Sequence, residues 1–358
     1  MFKMSTRIPD PAENRPIPSD AAVPQVAIVL LNWNGWKNTI ECLESVFRLS
    51  YPAFRVIVCD NSSTDGSLDQ IRDWADGRIA APCPSAELAH LVASPLPKPI
   101  QHITVHPSGN STGVSPAAKL ELIATGGNLG FAGGNNVGLR YALSRPDCQC
   151  LWLLNNDTVV EPDALSALIR AVQADPELGL CGSILRDYSC PASVLTLGGR
   201  RYNRWSGRTR PILPGSQKER NAPHLPLDYV EGASLLVTRA FLETVGLMAE
   251  DYFLYFEEMD WVMRACGRFR LGYSPQSVVY HKEGGSIGGR HKNRNLRTAL
   301  ADFYQARNRL VFTRRYLPWL LPSMCVSVTG TAVHRLLSGR WQNAAAVVKG
   351  ALAVMNKR

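Results

Sequence analysis

The sequence predicts an α/β fold built on a mainly parallel sheet, and three observations lead to it. Near-continuous apolar runs of strand length, "VAIVLLNWN" (26–34), "FRVIVCD" (54–60) and "CLWLLNND" (150–157), suit strands covered on both faces. Segments of helical spacing alternate with them, as crossovers between parallel strands require. Each run also ends in polar side chains, where parallel sheets bind their ligands.

In chain order, 1–24 comes first. It holds Pro9, Pro11, Pro16, Pro18 and Pro24 without an apolar period and reads as a disordered leader. It lacks the apolar core of a signal peptide, so the expected location is cytoplasmic. A helix is predicted from Trp36 to Leu49, with Ile40, Leu43, Val46 and Phe47 on one side. "FRVIVCDNSSTDGS" (54–67) is a strand closing on Asp60 and a polar turn, and "KLELIATGGNLGF" (119–131) supplies the third strand. Helices follow from Gly134 to Leu143 and, after the fourth strand, from Pro162 to Gln173, where Pro162 suits a first turn.

The stretch from Ala80 to Ser115, rich in Pro, Ser and Gly, is predicted as a long surface insertion. "RRYNRWSGRTRPILPGSQKER" (200–220) reads as a basic mobile flap over the site or as a solvated loop. The expected organisation is a leader (1–24), a core domain (25–289) and a basic helical C-terminal segment (290–358).

Hydrophobic content of 45% and charged content of 19% fit a globular chain of 358 residues. The nine cysteines have neither disulfide nor zinc spacing and are expected to be reduced. The net charge of +9 is unevenly placed, since 290–358 holds 13 Lys or Arg and a single acid, Asp302. No zinc-finger, helix-turn-helix or RNA motif accompanies this basicity, so no nucleic-acid partner is expected. "GGNLGFAGGNNVG" (126–138) lacks GxGxxG in any register and no GxxxxGK occurs, which argues against dinucleotide and P-loop sites. The uncharged run from Leu317 to Val333 is 17 residues long and contains Pro318 and Pro322. That is short of a span, and its basic flanks suit an interfacial anchor on an anionic leaflet. A core helix pair with a solvated face is the alternative.

Four strand ends carry polar groups, at Asn32, Asp60, Asn128 and Asp157, which together predict a binding crevice. Asp157 beside two amides offers hard oxygen to Mg²⁺ or Mn²⁺, although an Asx turn or helix cap accounts for it equally. In "DYFLYFEEMDWVMRACG" (251–267) an aromatic, strand-like run precedes Glu257, Glu258 and Asp260. Acids in a first helical turn complement the dipole, and Asp260 with Arg264 forms an i,i+4 pair. A carboxylate beside a pocket is also a candidate general base. "SVVYHKEGGSIGG" (277–289) places His281 at a strand end, as a structural residue or a metal ligand.

The ordered set "VAIVLLNWNG", "VIVCDNSSTDGS", "GGNLGFAGGNNVGL", "LWLLNNDTVV", "VEGASLLVTRAFLETVGLMAEDYFLYFEEMDW" and "YSPQSVVYHKEGGS" resembles the family 2 glycosyltransferases of the GT-A fold, in particular their bacterial rhamnosyltransferase-like branch. The resemblance covers roughly Val26 to Tyr316 and implies a nucleotide-sugar donor. By that likeness Asn32 and Asp60 border base and ribose, and Asn128 lines the nucleotide side. Asp157 stands at the metal-binding carboxylate of the DxD motif, whose first Asp is here Asn155, and Asn155 and Asn156 surround sugar and phosphates. His281 matches a metal-ligand His of some members. Glu258 stands where the family has the Asp of its "ED" pair, the base, with Asp260 the fallback. "GLMAEDYF" also departs from the family's usual "GGFDE". The implied reaction is an inverting, metal-dependent transfer to a glycan or polyprenyl-linked acceptor at the inner face of the membrane. Two other functions stand beside it. A non-catalytic nucleotide-sugar or carbohydrate binder would keep the fold, and a nucleotidyltransferase would want a basic Gly-rich loop that Asn32-Trp33-Asn34-Gly35 does not supply.

Overall fold

A computed structural model of the protein describes residues 23–82, 85–92, 96–105, 111–112, 118–215, 227–282 and 298–355. Nearly all of the expected leader, and the glycine loop after Lys282, lie outside the described residues. The first half of the chain comprises β1 (Gln25–Asn32), α1 (Trp36–Val46), β2 (Phe54–Asp60), α2 (Ser67–Ala75), α3 (Ala89–Val92), β3 (His102–Val105), β4 (Ser111–Thr112), β5 (Leu120–Ala124), α4 (Gly130–Leu143), β6 (Cys148–Asn155), β7 (Thr158–Val160) and α5 (Ala164–Ala174). Then come β8 (Leu178–Asp187), β9 (Cys190–Leu197), β10 (Gly199–Asn203), β11 (Arg208–Pro211), β12 (Tyr229–Val230), β13 (Ser234–Thr238), α6 (Arg239–Val245), α7 (Glu257–Ala265) and β14 (Arg270–His281). Three helices close the chain: α8 (Ala299–Tyr316), α9 (Leu321–Leu337) and α10 (Trp341–Met355).

The main sheet runs β4-β3-β5-β2-β1-β6-β13-β8-β14-β7, with β9 branching from β8. From β3 to β6 every neighbour is parallel. Strands with apolar residues on both faces are what such a sheet needs, because helices cover both sides. Ile28, Leu30, Trp152 and Leu154 point into one core, with Ile40, Leu43 and Leu168 from the helices. Val29, Leu151 and Leu153 point into the other, with Leu139, Phe241 and Trp261.

Two expectations need correction. The stretch from Ala80 to Ser115 is more than a surface insertion, because β3 extends the sheet parallel to β5, and Ile103 and Val105 are buried in the core. Over 200–215 the anticipated loop is mostly the hairpin β10–β11, which pairs with β12 in a small second sheet. The remainder of the proposed flap, 216–226, lies outside the described residues.

The basic C-terminal segment is joined to the core. Phe312 of α8 sits in the main hydrophobic cluster and packs at 5.6 Å against both Tyr202 and Phe256. α8, α9 and α10 share a smaller core of Ala306, Leu310, Met324, Val328, Ala332, Val347 and Val354. Among the described residues no helix is long and apolar enough to cross a membrane. The eight described cysteines are free thiols.

Candidate active site

The tips of β1, β2 and β6 are laced together by amides and hydroxyls. Asn32, fully buried, donates from Nδ2 to Asp60 Oδ1 at 2.7 Å and accepts at Oδ1 from Thr39 Oγ1 at 2.8 Å. Asn156 donates to the same Thr39 hydroxyl at 2.9 Å and to Asn32 Oδ1 at 3.3 Å. Ser63 secures Asp60 from the following turn, its N–H donating to Oδ2 at 3.0 Å and its hydroxyl to Oδ1 at 2.6 Å. The structure thus brings Asn32, Asp60 and Asn156 together, but it spends Asn32 and Asn156 on this lattice. Their geometry is that of ties between strand tips rather than of groups facing a ligand. Asn128 is exposed at the start of the glycine-rich turn, and its Oδ1 accepts from Asn61 Nδ2 at 3.0 Å and Gly130 N at 3.1 Å.

The polar end of "LWLLNND" is the crossing from β6, in mid-sheet, to β7 at its edge. β7 pairs antiparallel with β14 in a register that sets His281 opposite Thr158. That register carries His281 across 124 residues of sequence to Asp157, with Nε2 3.2 Å from Asp157 Oδ1 and 3.5 Å from Asn155 Nδ2. Lys282 N–H donates to Asp157 O at 3.0 Å and fixes the crossing. One carboxylate and one imidazole meet here at the end of a central strand.

This donor set fits a divalent cation. Adjacent ligands of an octahedral ion bound at 2.0–2.1 Å lie about 3 Å apart, close to the observed Oδ1–Nε2 separation. No group of three or more His, Cys, Asp or Glu able to hold a metal ion occurs among the described residues. Mg²⁺ and Mn²⁺ commonly accept so few protein ligands and complete their shells with water and substrate phosphates.

The acidic group is built differently. "FLYF" is not the strand that its aromatic residues suggest. After a 3₁₀ turn at Glu250–Tyr252, Phe253, Tyr255 and Phe256 adopt φ of 65°, 68° and 77°. Such angles are unfavourable for bulky residues and persist only when the surroundings impose them. Asn308 of α8 imposes them here, since its buried amide donates to the carbonyls of Tyr252, Leu254 and Tyr255 at 2.8, 2.7 and 3.0 Å. Phe131 N–H also donates to Phe253 O at 2.6 Å. Gly130, at φ 71°, lies so close to Phe253 that no Cβ fits there.

α7 starts directly from this loop with Glu257 and Glu258 in its first turn. The Glu258 carboxylate packs against Gly232, and the carbonyl of the adjoining Ala233 accepts from Asn155 N–H at 3.0 Å. Glu258 is therefore linked to the end of β6 through Gly232 and Ala233, two residues before Asp157. Its pKa is pushed well above the usual carboxylate range by burial first and then by the neighbouring Glu257 charge. Burial likewise raises Glu257 to about 7, against hydrogen bonds from its own and the Tyr255 N–H. Glu257 Oε2 is buried without a hydrogen-bond partner.

Asp260 belongs elsewhere. It is fully buried, and its oxygens are taken by Arg264 Nε at 2.7 Å, Arg315 Nη1 at 2.7 Å, Tyr316 OH at 2.8 Å and Tyr252 OH at 3.1 Å. The i,i+4 pair foreseen with Arg264 is present. Asp260 is an ion-pair hub between α7 and α8, which argues against its fallback role as a base.

The profile described as "Glycosyl transferase family 2" matches residues 27–81 and 115–241, slightly more than half of the chain. The chain belongs to that family. A low-salt glycan biosynthesis hexosyltransferase, Agl10, of Haloferax volcanii is 29% identical over 146 residues, 41% of this chain and 46% of that protein. An N-acetylglucosaminyl-diphospho-decaprenol L-rhamnosyltransferase of Mycobacterium tuberculosis is 27% identical over 203 residues, 51% of this chain and 66% of that protein. The chain thus spans about half the length of the first relative and just under two thirds of the second. Among solved structures, GalNAc-T7 with UDP, GalNAc and Mn²⁺ superposes with a TM-score of 0.52 at 14% identity, over 80% of this chain and 48% of that one. The fold is the GT-A arrangement, with its mixed sheet flanked by helices and, in this family 2 chain, a helical C-terminal region.

Ser63, Thr39 and Asn308 escaped the sequence reading. The first two carry a faint signal, a hydroxyl three residues beyond a strand-end Asp and another in the first turn of a helix. Asn308 lies in a segment readable as a helix, but nothing in its sequence announces its action on a loop more than 50 residues away.

Proposed function

We propose that the protein is an inverting glycosyltransferase that moves a sugar, rhamnose or a related hexose, from a nucleotide-diphosphate donor to a hydroxyl of a glycan or polyprenyl-linked acceptor in cell-surface polysaccharide synthesis. The observation that carries this reading is the linkage of two unlike groups through one strand tip. Asp157 and His281 converge on one side, and Glu258, over Gly232 and Ala233, stands on the other.

Each group has a chemical task in such a reaction. Glu258 accepts the proton of the acceptor hydroxyl as that oxygen attacks the anomeric carbon, and a single displacement inverts its configuration. A carboxylate of raised basicity in a half-buried pocket suits that proton transfer better than an ordinary surface acid. Asp157 and His281 would hold Mg²⁺ or Mn²⁺, with Asn155 beside them. When bound, the ion would neutralise charge on the departing nucleotide diphosphate. Asp60, locked by Asn32 and Ser63, presents an oriented carboxylate edge to the nucleoside, and exposed Asn128 borders the same side.

The rhamnosyltransferase relative is named for a diphospho-decaprenol compound, which supports a lipid-linked acceptor. A docking face for a membrane is consistent with it. Trp319, Val326, Val333 and Leu337, seven or four residues apart on the outside of α9 and the turn before it, are 46–85% exposed. Tryptophan and aliphatic side chains on a basic helical segment suit the interface of an anionic leaflet.

Turnover of a panel of nucleotide sugars with Mn²⁺ tests the proposal. Glu258→Gln should lower transfer by about 10²–10⁴-fold, the usual contribution of a positioned base, while still gaining thermal stability from donor and Mn²⁺. Asp157→Ala should lose both turnover and that gain. Donor binding without turnover across acceptors would instead identify a non-catalytic nucleotide-sugar binder.

A further inference from the structure

A second cavity opens away from the strand tips, between the β10–β11 hairpin and helices α8 and α9. It has a volume of about 390 Å³, within the ~300–1,000 Å³ range of small-molecule sites. Arg208 and Thr209 line it from the hairpin, Arg309 from α8, and Thr331, His334 and Arg335 from α9.

Its walls are fixed by their own bonds. Ser323 and Ser327 hydroxyls donate to the carbonyls of Trp205 and Ser206, both at 2.6 Å, and stitch the hairpin turn to α9. Gly207, at φ 64°, lies against the Arg309 stem and the Met324 sulfur, where no Cβ would fit. Arg309 is only 7% exposed and donates from Nη1 to Ser327 Oγ at 3.5 Å. Arg335 forms a two-point pair with Asp302 at 2.8 and 3.0 Å. No acid lines the cavity, and three arginines line it against the one carboxylate behind Arg335. Guanidinium forks match phosphate oxygens.

We propose that this cavity binds a phosphate or diphosphate group. Assignment of that group to the acceptor rests on the transferase reading above, whereas the site itself is argued from the cavity. Asn203 lies opposite Arg208 in the hairpin, and Arg200, three residues earlier on β10, pairs with Glu231, whose charge bears on Glu258. Three strand residues cover about 10 Å. A phosphate held at Arg208 would therefore lie on the same hairpin that reaches Glu258 through Arg200 and Glu231, more than about 10 Å along it.

Isothermal titration of the full chain with inorganic pyrophosphate in EDTA tests this. Wild type and Asp157→Ala should bind alike, and binding should weaken with added salt. Arg208→Glu at the rim and Thr331→Trp within the cavity should each weaken binding at least tenfold. Circular dichroism checks that each variant folds, and a folding defect in one leaves the other decisive. No binding by wild type, or wild-type affinity in either folded variant, overturns the proposal. Co-sedimentation with phosphatidylcholine vesicles carrying polyprenyl diphosphate, or an equal fraction of phosphatidylglycerol, separates the sources. Arg208-dependent capture by the diphosphate vesicles alone assigns the site to the lipid-linked acceptor. Arg208-independent behaviour on both vesicles, beside Arg208-dependent pyrophosphate binding, assigns it to a free phosphate compound. Donor hydrolysis by the wild type is read in parallel. Its absence sinks the transferase reading and leaves the titration to judge the cavity.

Discussion

The two sides of the candidate site hold their shape by opposite means. On the side of β1, β2 and β6 the backbone is regular, and short polar side chains of neighbouring strand tips bond to each other. On the side of Glu258 the backbone is strained at three bulky residues and is held by α8 through Asn308 and Asp260. Local order comes nearly free where parallel strands already fix their ends. A carboxylate aimed from an irregular loop needs a brace from elsewhere. The comparison teaches that the C-terminal helical segment, set apart in composition by its charge, is mechanically part of the site.

Breaking the brace should therefore cost more than breaking the lattice. Asp260→Ala leaves Arg264, Arg315 and two tyrosine hydroxyls facing a hole, and removing one partner of a buried ion-pair network costs about 3–5 kcal/mol. Urea unfolding should register that loss together with a collapse of activity. Asn308→Ala strips three carbonyls of their donor at about 1 kcal/mol each, so a loss of about 2–4 kcal/mol is expected. Its activity should fall at temperatures where circular dichroism still reports a folded sheet, because the strained loop relaxes first. Asn32→Ala, on the regular side, should cost about 1–3 kcal/mol and weaken donor binding, read as a smaller Mn²⁺-dependent thermal shift.

The smallest effect sharpens the contrast through pH. Burial raises Glu257 from 4.5 to about 7, so the folded state holds its proton more tightly than the unfolded chain. Its contribution to stability is complete below pH 4.5 and is lost as pH climbs to 7. Glu257→Gln should make that decline shallower in a pH series of urea midpoints, leaving the part that comes from Glu258. It also removes a negative charge beside Glu258, so the acidic limb of kcat/KM should move to lower pH.

Most of the sheet was legible because its strands are apolar on both faces. "VAIVLLN", "FRVIVCD" and "CLWLLN" need no context to be strands. β3 was not legible, since a four-residue strand among prolines and serines has too little pattern and is recruited by the edge of β5. "FLYF" misled for a related reason. Aromatic residues favour strands on average, and only the Asn308 clamp, invisible in the local sequence, forces them into positive φ. Asp157 and His281 were legible singly as polar strand ends. Their pairing came from the family resemblance, which makes both metal ligands, and not from the local residues, because it depends on the β7–β14 register. Glu258 and Asp260, two residues apart, looked interchangeable, yet a helix turns about 100° per residue and sends them to opposite destinations.

The three carbonyls held by Asn308 also set an order of events during synthesis. A nascent chain that has released residue 282 but not residue 308 from the ribosome already owns every described strand of the main sheet, His281 included. It lacks the one amide that cocks the acid. Premature termination before that point would leave a polypeptide able to assemble its nucleotide-facing half, yet unarmed for chemistry.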